Sequence, residues 1–501
     1  MEKWYSSEKV RALDAKLIAS GTPSLDLMET AGSGIVEKTL EEYGQIASAL
    51  ICAGSGNNGG DGFVIARLLA DMGTECAVLL AKAPEASKGD ARVNLDKLRN
   101  RTDIIIHESA KLADNEIKAL INSHAVTFDA LLGTGAKGAP RGETLRLINL
   151  INAHTGGKII AVDVPSGAES GDACVKADLT CTIGGRKTEI STGRAAALAG
   201  KIEYVSLGDG TEKHIGNPDM LCPEKSDIAA LLPERRPDDH KGKRGGVLIV
   251  AGSKRYRGAA LLAAQAAFRA GAGLVVLASC APVLDALAYR LPEAICEELE
   301  TPHRLTDIIA RWGKRCTALL IGPGLDRDAR AQELCAKAAA EWENPSVWDG
   351  DALYFLARDL LTPRNPCITP HEGEAARLLG TKTTENRISA VKALAEKHGA
   401  AILKGYRSLV MSRGDAVPTL ITAGDRTLSV AGSGDVLAGT AAAFLAAGLK
   451  NSDALALAAW CHGTAGELLG KERGRDGILA HEIADGLPAV VKSLTAETRD
   501  A

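Results

Sequence analysis

Short apolar segments of strand type alternate with helical patterns along almost the whole chain, and this alternation is the feature that most narrows the possible folds. Alternation of this kind favours parallel sheets whose two faces are covered by helices. It lapses once, in the polar stretch 207–243, which contains several Pro and Gly residues and marks a domain boundary. We therefore expect an α/β chain of two domains, residues 1–212 and 222–501. The apolar segments are 49–54, 76–81, 126–132, 158–164 and 179–184 in the first half, and 246–253, 273–279, 318–324, 345–351, 367–370 and 400–405 in the second.

Composition and charge argue against several classes of protein. The 501 residues carry 59 Lys and Arg against 63 Asp and Glu, a net charge of −4, which is not typical of a nucleic-acid-binding protein. Aromatic residues make up 3% of the chain, too few for a base-stacking platform. The 11 cysteines form no CxxC pair, so we expect neither a disulfide framework nor a zinc site. The charged start of the chain does not resemble a secretion signal, and the apolar run 436–449 is shorter than the ~20 residues of a membrane span, so we expect a cytoplasmic protein.

The first candidate ligand-binding segment is the glycine-rich stretch 53–62, AGSGNNGGDG, between a predicted strand and a helix that we expect at 62–73. At such a place the free backbone N–H groups and the helix dipole favour an anion, and glycines let it come close. The string fits GxGxxG, but the acid that would hold a ribose is missing, because the next strand ends in Lys82. Asn57, Asn58 and Asp61 add polar side chains that a purely structural turn, the alternative interpretation, does not need.

Two further predicted strands also carry polar residues at their carboxyl ends. Asp129 lies within one of them, and Asp163 and Ser166 follow the other in the sequence AVDVPSG. Each Asp alone could be a loop cap. Ligands of open α/β sheets bind at the carboxyl ends of strands, so the set together predicts a binding site. The loop after Asp129 adds a second glycine-rich segment with Gly133, Thr134, Gly135 and Gly138.

These motifs together resemble the N-terminal domain of the NAD(P)H-hydrate epimerases, and the resemblance covers about 5–208, including VRALDAKLI and LMETAG near the start. It implies a Rossmann-like three-layer αβα domain in which Asp163 is catalytic and Asn58, Asp129 and Ser166 bind potassium. This sequence departs from the family after Gly167, where AESGDA replaces a run like LDADTG and displaces an expected acid. The residues implied to bind the hydrated dinucleotide are Asn57, Asn58, Gly59, Gly60, Asp61, Gly133, Thr134, Gly135 and Gly138.

The most informative motif of the second half is AGSGDVLAG at 431–439. Gly432, Ser433 and Gly434 precede Asp435, which opens an Ala-rich helix. The free amides of such a turn can bind a transferring phosphoryl group, and a carboxylate beside them can accept a proton from an attacking hydroxyl. A helix-capping Asp after a flexible turn is the alternative interpretation.

Other segments of the second half supply candidate ligand contacts. Small residues, Gly258 and Ala259, open one helix, and the GPGLD motif with Gly324 follows a buried strand. His371 in TPHEGE would on its own be better explained as a satisfied core histidine. Glu374 either orders a magnesium-bound water or is a solvated residue at a helix start.

The second half, about 240–490, resembles the ADP-dependent NAD(P)H-hydrate dehydratases of the ribokinase-like superfamily, which implies a ribokinase-like αβα domain. The resemblance implies that Asp435 is the base and that Gly258, Ala259, Gly324 and His371 contact the hydrated nicotinamide. Two departures are DGDAL at 349–353, where the family has DADAL, and LSVAGSGD at 428–435, where it has a Met-Ala-Thr-Gly-Gly-type run. The residues implied to bind ADP are Lys404, Gly405, Tyr406, Arg407, Ser408, Gly432, Ser433 and Gly434.

The two resemblances predict one function, the repair of hydrated NADH and NADPH (NADHX and NADPHX). The first domain would interconvert the R and S epimers, and the second would dehydrate the S form with ADP, or ATP as the alternative donor, and with magnesium. We also expect a homo-oligomer, with neither nucleic acid nor membrane as a partner. Three other interpretations remain open here: a ribokinase-type small-molecule kinase, a binding or scaffold role for the first half, and an NAD-dependent dehydrogenase.

Overall fold

The computed structural model describes residues 1–136, 138–153, 156–168, 173–208, 211–234, 238, 242–358, 361–382 and 386–500. The run after Gly167 that departs from the epimerase family falls largely on residues 169–172, which lie outside the described residues. The chain divides into two compact units. The N-terminal unit is Lys3–Met220, and the C-terminal unit is Leu221–Ala501 together with Met1–Glu2.

The first 215 residues form nine strands and eight helices in the part that the structure describes. The strands are β1 (Glu2–Tyr5), β2 (Ser48–Ala53), β3 (Glu75–Leu80), β4 (Ile104–Glu108), β5 (Val126–Ala130), β6 (Lys158–Val162), β7 (Leu179–Ile183), β8 (Arg186–Lys187) and β9 (Lys201–Val205). The helices are α1 (Ser7–Ala19), α2 (Ser24–Tyr43), α3 (Asn57–Asp71), α4 (Gly89–Arg99), α5 (Asp114–Ser123), α6 (Gly142–Asn152), α7 (Gly193–Leu198) and α8 (Thr211–Ile215).

The main sheet of the N-terminal unit has the strand order β4-β3-β2-β5-β6-β7-β9, with every neighbouring pair parallel. The strand order reverses between β2 and β5, so the carboxyl ends of these two strands flank a switch point of the topology, where such folds bind ligands. Outside this sheet, β1 pairs with β8 in parallel, with Tyr5 opposite Lys187.

Both faces of this sheet are buried. In β2, Leu50 and Cys52 belong to one apolar cluster, whereas Ile51 and Ala53 belong to another. Because successive side chains of a strand point to opposite faces, the two clusters are the two helix-covered faces of the sheet. A polar ligand can therefore contact the sheet only at the ends of its strands.

The helix after β2 begins earlier than the sequence predicts, at Asn57 rather than near residue 62. The glycines that suggested a long turn instead lie in the helix, where they allow close packing. A Cβ at Gly59 would overlap the carbonyl of Gly54, and a Cβ at Gly62 would lie 2.8 Å from Cβ of Ala130. The prediction was wrong here because glycine also permits close backbone approach within a helix.

The remaining strands are β10 (Met220–Cys222), β11 (Gly246–Val250), β12 (Leu274–Ser279), β13 (Ile295–Glu298), β14 (Ala318–Ile321), β15 (Ser346–Trp348), β16 (Pro366–Ile368), β17 (Ala400–Leu403), β18 (Ser408–Ser412) and β19 (Thr419–Ile421). The helices are α9 (Lys225–Ala229), α10 (Arg257–Arg269), α11 (Ala281–Arg290), α12 (Arg304–Trp312), α13 (Ala329–Glu341), α14 (Asp351–Leu356), α15 (Glu372–Leu379), α16 (Arg387–His398), α17 (Ser433–Ala446), α18 (Asn451–Arg473) and α19 (Ala480–Asp500).

The C-terminal sheet runs β13-β12-β11-β14-β15-β16-β17-β18-β19-β10. Strands β11 to β17 pair with one another in parallel, and β18 is antiparallel to both of its neighbours, β17 and β19. The order reverses between β11 and β14, which again creates a switch point at the carboxyl ends. The predicted class of fold, two α/β domains built on parallel sheets, is confirmed.

Small residues bring α17 against α10 on one face of this sheet. Ala263, Ala267 and Ala438 are fully buried in the shared apolar cluster. A Cβ at Gly439 would overlap the backbone carbonyl oxygen of Ala263, so glycine sets the distance between the two helices. In the part of the chain that the structure describes, no helix is both long and apolar enough to cross a membrane.

We predict that Gly439→Ala destabilises the C-terminal unit by about 1–3 kcal/mol, because the added methyl group meets a backbone oxygen that cannot rotate away. Urea or thermal unfolding measures the effect. Gly486→Ala in α19 is the control, because its Cβ would meet only a methyl group, that of Ala465, at 3.3 Å. Equal unfolding free energies for Gly439→Ala and wild type would contradict the packing argument.

Candidate functional site

A cavity of about 500 Å³ opens at the switch point of the N-terminal sheet. The segment after β2, the loop after β5 and the residue after β6 form one side of it, and α1 and α2 form the other. Among the residues predicted to bind a ligand, Asn57, Asn58, Asp61, Gly133, Thr134, Gly135 and Asp163 line this cavity. Gly59, Gly60, Gly138, Asp129 and Ser166 are not part of its lining.

The side chain of Asn58 lies against the loop after β5. A Cβ at Gly133 would be 3.3 Å from Oδ1 of Asn58, so glycine makes room for the amide. The amide nitrogen of Asn58 is buried and has no hydrogen-bond partner in the described residues. A buried amide N–H group that the protein leaves unpaired is unusual, and it indicates a donor prepared for a hydrogen-bond acceptor on a ligand.

Asp129 and Ser166 form a buried pair beside the loop after β5, the loop against which Asn58 lies. Oδ1 of Asp129 accepts a hydrogen bond from the Ser166 hydroxyl at 2.6 Å, and Oδ2 accepts one from the Ser166 backbone at 2.7 Å. The Ser166 hydroxyl in turn accepts a bond from the amide of Leu132 at 2.8 Å. Burial raises the pKa of Asp129 to about 6, although the bonds from Ser166 oppose that shift. This arrangement ties the carboxyl ends of β5 and β6 together.

Asp163 has an unusual backbone conformation and a charged partner. Its φ is +69°, in the left-handed region that few residues other than Gly, Asn and Asp adopt. Its Oδ1 accepts hydrogen bonds from the ammonium of Lys187 and from the amide of Ile183, the latter at 3.0 Å. The side chain of Lys187 is 1% exposed and also donates to the carbonyl of Ile183. The carboxylate is therefore fixed in position, with a buried cation beside it.

Two further carboxyl groups line the same cavity. Burial raises the pKa of Asp61 well above its usual value, and the nearby carboxylates of Asp163 and Asp14 add to the rise. Burial also raises the pKa of Asp14 to about 6. The sequence analysis did not select Asp14 or Lys187 as site residues. Asp14 lies in VRALD, which served only to mark the family resemblance, and Lys187 follows no recognised motif.

The C-terminal unit gathers its polar groups at the carboxyl ends of β15, β16 and β17. Oδ1 of Asp349 accepts from the hydroxyl of Thr369 at 2.6 Å and from the ammonium of Lys404 at 2.9 Å. Burial alone would lower the pKa of Lys404, but the carboxylates of Asp349, Glu374 and Asp435 outweigh it and raise that pKa. Asp349, which lies in the DGDAL run, is a further residue that the sequence analysis did not single out. Gly350 beside it has φ +56°, which glycine tolerates without strain.

The Gly-Ser-Gly turn lies at the start of α17, beside Lys404. Gly432 is the N-cap with φ +89°, and a Cβ at Gly434 would lie 3.4 Å from the Lys404 ammonium. The first amides of α17 and this ammonium therefore border the same space, as a phosphoryl-binding site requires. The hydroxyl of Ser433 lies 3.1 Å from Nε2 of the buried His462, whose pKa is lowered to about 4 by burial and by Lys404.

Asp435 follows this turn and has a strongly perturbed pKa. Burial is the main cause, and the carboxylates of Asp349 and Asp351 add to it, so that the pKa rises to about 7 in spite of Lys404. A base with a pKa near neutrality is well suited to proton transfer at that pH.

His371 and Glu374 form a capping box at the start of α15. Nδ1 of His371 accepts from the amide of Gly373 at 3.0 Å, and Oε2 of Glu374 accepts from the amide of His371 at 2.9 Å. The His371 side chain is 61% exposed, so the core-histidine alternative is wrong. Glu374 is buried and not solvated, so the second alternative is wrong as well. Among the described residues, no group of three or more His, Cys, Asp or Glu could hold a metal ion.

The loop from Lys404 to Ser408 is supported by Arg387, which the sequence analysis also missed. Nη2 of this buried guanidinium donates to the carbonyl of Leu403 at 3.2 Å, and Nη1 pairs with Glu372. A Cβ at Gly405, where φ is +153°, would lie 2.7 Å from Nη1 of Arg387. Arg407 has φ +57°, and Tyr406 is exposed.

The predicted contacts on the other side of this site are also close to one another. A Cβ at Gly324 would lie 2.9 Å from Cβ of Ala259, so the loop after β14 packs on the start of α10. A Cβ at Gly258 would meet nothing within 4 Å, which leaves open space beside the helix start.

Comparison with known proteins covers both units. The family model described as NAD(P)H-hydrate dehydratase matches residues 247–489, and the one described as YjeF-related protein N-terminus matches residues 24–189. A bifunctional NAD(P)H-hydrate repair enzyme from Moorella thermoacetica is 38% identical over 95% of this chain and 94% of its own. One from Thermanaerovibrio acidaminovorans is 35% identical over 98% of both chains. A solved structure, a hypothetical protein from Streptococcus mutans, is 28% identical, with a TM-score of 0.50 over 55% of this chain and 100% of its own.

Proposed function

The chain belongs to the family of bifunctional NAD(P)H-hydrate repair enzymes, and on that premise we propose which residues carry each of its two reactions. The protein is an epimerase and a dehydratase of hydrated NADH and NADPH. The observation that carries this conclusion is that relatives named bifunctional NAD(P)H-hydrate repair enzymes align with both units of the chain. The kinase, scaffold and dehydrogenase interpretations are set aside on the same ground.

We assign the epimerase reaction to the N-terminal cavity. Asn57 and Asn58 open the first turn of α3, where backbone amides favour a phosphate, and Asp61 follows in the same helix. All three line the cavity together with the loop from Gly133 to Gly135. Asp163 is the proton acceptor, supported by its fixed carboxylate and by the adjacent Lys187. Gly59 and Gly60, which are buried in the packing of α3, would act through their backbone.

Asn58, Asp129 and Ser166 are proposed to bind a potassium ion. The set offers oxygen ligands, which suit a hard cation, and a single carboxylate suits one positive charge. The buried carboxylate of Asp129, with the hydroxyl of Ser166 hydrogen-bonded to it, fits this use. Potassium would supply fixed positive charge beside the cavity.

We assign the dehydratase reaction to the C-terminal site. Hydroxide leaves poorly at neutral pH, so the hydroxyl group of the hydrated ring must first be activated. Asp435 accepts the hydroxyl proton while that oxygen takes the terminal phosphoryl group of ADP. The resulting phosphate leaves, the ring double bond returns, and AMP and phosphate are released. Lys404 and the amides of Ser433 and Gly434 are placed to hold the transferring group.

The remaining contacts of this site divide between substrate and nucleotide. Magnesium usually keeps its waters and binds through substrate phosphates, where it neutralises charge, so one carboxylate such as Glu374 suffices on the protein side. ADP is the proposed donor, with ATP as the alternative, since both present a terminal phosphate. Gly258, Ala259, Gly324 and His371 would contact the hydrated nicotinamide, and Lys404, Gly405, Tyr406, Arg407 and Ser408 would bind the nucleotide. A cytoplasmic location and a homo-oligomer stay predictions.

We predict that Asp163→Asn separates the two activities. The change keeps the size of the side chain but removes the proton acceptor, so R-hydrate should be consumed only at its spontaneous rate of epimerisation. S-hydrate should still be dehydrated at the wild-type rate. Chromatography of both epimers in the presence of ADP measures this. Asp103→Asn, at an exposed ion pair of the same unit, is the control. Wild-type turnover of R-hydrate by Asp163→Asn would exclude Asp163 as the base.

We predict that potassium stabilises the N-terminal unit and accelerates epimerisation. A ligand that binds only the folded state raises stability in proportion to the logarithm of its concentration. The thermal unfolding temperature should therefore rise by a few degrees from choline chloride to potassium chloride at equal ionic strength. Ser166→Ala should reduce that rise. The proposal fails if the two salts give the same unfolding temperature and the same epimerisation rate.

We predict that dehydration is lost on the acid side of about pH 7. Asp435 acts as a base only when ionised, and its raised pKa means that kcat/KM falls about tenfold per pH unit below that value. Asp349→Asn removes a carboxylate that raises this pKa, so the midpoint should move to lower pH. Asp435→Asn should reduce the rate ~100- to 10,000-fold while leaving ADP affinity nearly unchanged. An unshifted profile in Asp349→Asn, or near-normal repair by Asp435→Asn, would contradict this assignment.

A further inference from the structure

Three carboxyl groups in the N-terminal cavity share one buried ammonium. Asp14, Asp61 and Asp163 all line the cavity, and each acts electrically on the others. Lys187 is the cation among them, and its hydrogen bond goes to Asp163 alone of the three. Desolvation and the mutual repulsion of these carboxylates raise the pKa values of Asp14 and Asp61, and Lys187 opposes the rise.

The three carboxyl groups differ in their exposure to solvent. Asp163 is held by Lys187 and by the amide of Ile183, and its carboxylate is only partly exposed. Asp61 is 9% exposed and lies in α3, where it lines the cavity but has little contact with solvent. Asp14 lies on α1, and it is an exposed residue whose side chain faces the cavity. Only Asp14 combines access to a bound substrate with access to solvent protons.

Epimerisation of the hydrated ring requires an acid as well as a base. Water adds to the enamine double bond so that the hydroxyl group sits on the carbon next to the ring nitrogen, which makes that carbon a hemiaminal. A base takes the hydroxyl proton, a C=O bond forms, the carbon–nitrogen bond breaks, and its electron pair passes to nitrogen. Nitrogen then takes a proton from an acid. After rotation of the aldehyde, the same steps in reverse close the ring on the other face, and both protons return to their donors.

We propose that Asp14 is a second catalytic carboxyl group of the epimerase site, the acid that gives a proton to the ring nitrogen on opening and takes it back on closure. This inference rests on the proposed epimerase function and on Asp163 as the base. A site with one ionised and one protonated carboxyl group is a recurrent solution for acid and base chemistry at one pH.

The surroundings of Asp14 bring its pKa closer to neutrality. The residue as a whole is exposed, but desolvation of its carboxyl group against the cavity wall raises its pKa to about 6; Lys187 opposes the rise, and Asp163 adds to it. Asp61 of α3 is the third carboxyl group in this interaction. Helix α2 contributes Ser24, Leu27, Met28 and Ala31, all uncharged, to the cavity wall. Among the described side chains of the wall and of α8, which packs on α1, the other charged or titratable residues are Arg11, Lys82, Asp90, Lys213 and His214.

The test is the pH dependence of epimerisation, measured by chromatography of the R and S hydrates without ADP and corrected for the spontaneous reaction. Because the acid must be protonated, the wild-type kcat/KM should fall as the pH rises above about 6. In Asp14→Asn the rate should drop ~100-fold or more, and this alkaline limb should disappear. Asp14→Glu should retain the limb, although at a displaced pH. Glu8→Gln, an exposed carboxyl group on the same helix, is the control and should match wild type.

The outcomes distinguish a failure of the proposed function from a failure of the role of Asp14. A wild-type protein that does not epimerise either hydrate overturns the proposed function. A wild type that epimerises, together with an Asp14→Asn variant of unchanged rate and pH profile, overturns the role of Asp14 alone. Loss of activity in Asp14→Asn with the alkaline limb still present, or equal loss in Asp14→Glu without that limb, also overturns it, because a purely structural role would have that result. Dehydration of S-hydrate by each variant shows that the chain has folded.

Discussion

Both units depend on parallel strands that are buried on both faces, a condition that leaves the carboxyl ends of the strands as the place for chemistry. In β2 and β11 every residue except Ser48 is buried, so these strands can carry no polar ligand group in their middle. The polar residues come immediately afterwards. Asp163 follows β6, Asp349 follows β15 and Lys404 follows β17. The same hydrophobic burial that holds the sheets together therefore also positions the catalytic groups.

The two sites have the same arrangement of charged groups. Each holds a lysine against one carboxylate, the buried Lys187 with Asp163 and the partly buried Lys404 with Asp349. Such a pair is costly to desolvate, and it is retained only where hydrogen bonds fix both partners. In each site, further carboxyl groups lie beyond the pair and have raised pKa values, Asp14 and Asp61 in one and Asp435 in the other. The ammonium of each site thus pairs with one carboxylate, and the neighbouring carboxyl groups with raised pKa values are the ones suited to hold a proton.

Much of this organisation could be predicted from the sequence, because it is local. The strand segments, the residues that follow them and the Gly-Ser-Gly turn before Asp435 are read from neighbouring positions. What escaped prediction depends on residues far apart in the chain. Lys187 meets Asp163 across 24 positions and Lys404 meets Asp349 across 55, and no local pattern marks either pair. The early start of α3 was missed for a different reason, since glycines that pack a helix against a strand look the same in sequence as glycines of a turn.

The left-handed backbone conformation of Asp163 restricts which residue types can replace it during evolution. At φ +69° a β-branched or bulky residue would be strained, whereas Asn and Gly would be tolerated. The codon of an aspartate lies one base change from that of asparagine and of glycine, so the tolerated neighbours are also the most accessible ones. A lineage that lost the epimerase reaction could therefore keep this fold and cavity through a single mutation. The residue at this position would then indicate whether the N-terminal unit of a relative still catalyses epimerisation or only binds a ligand.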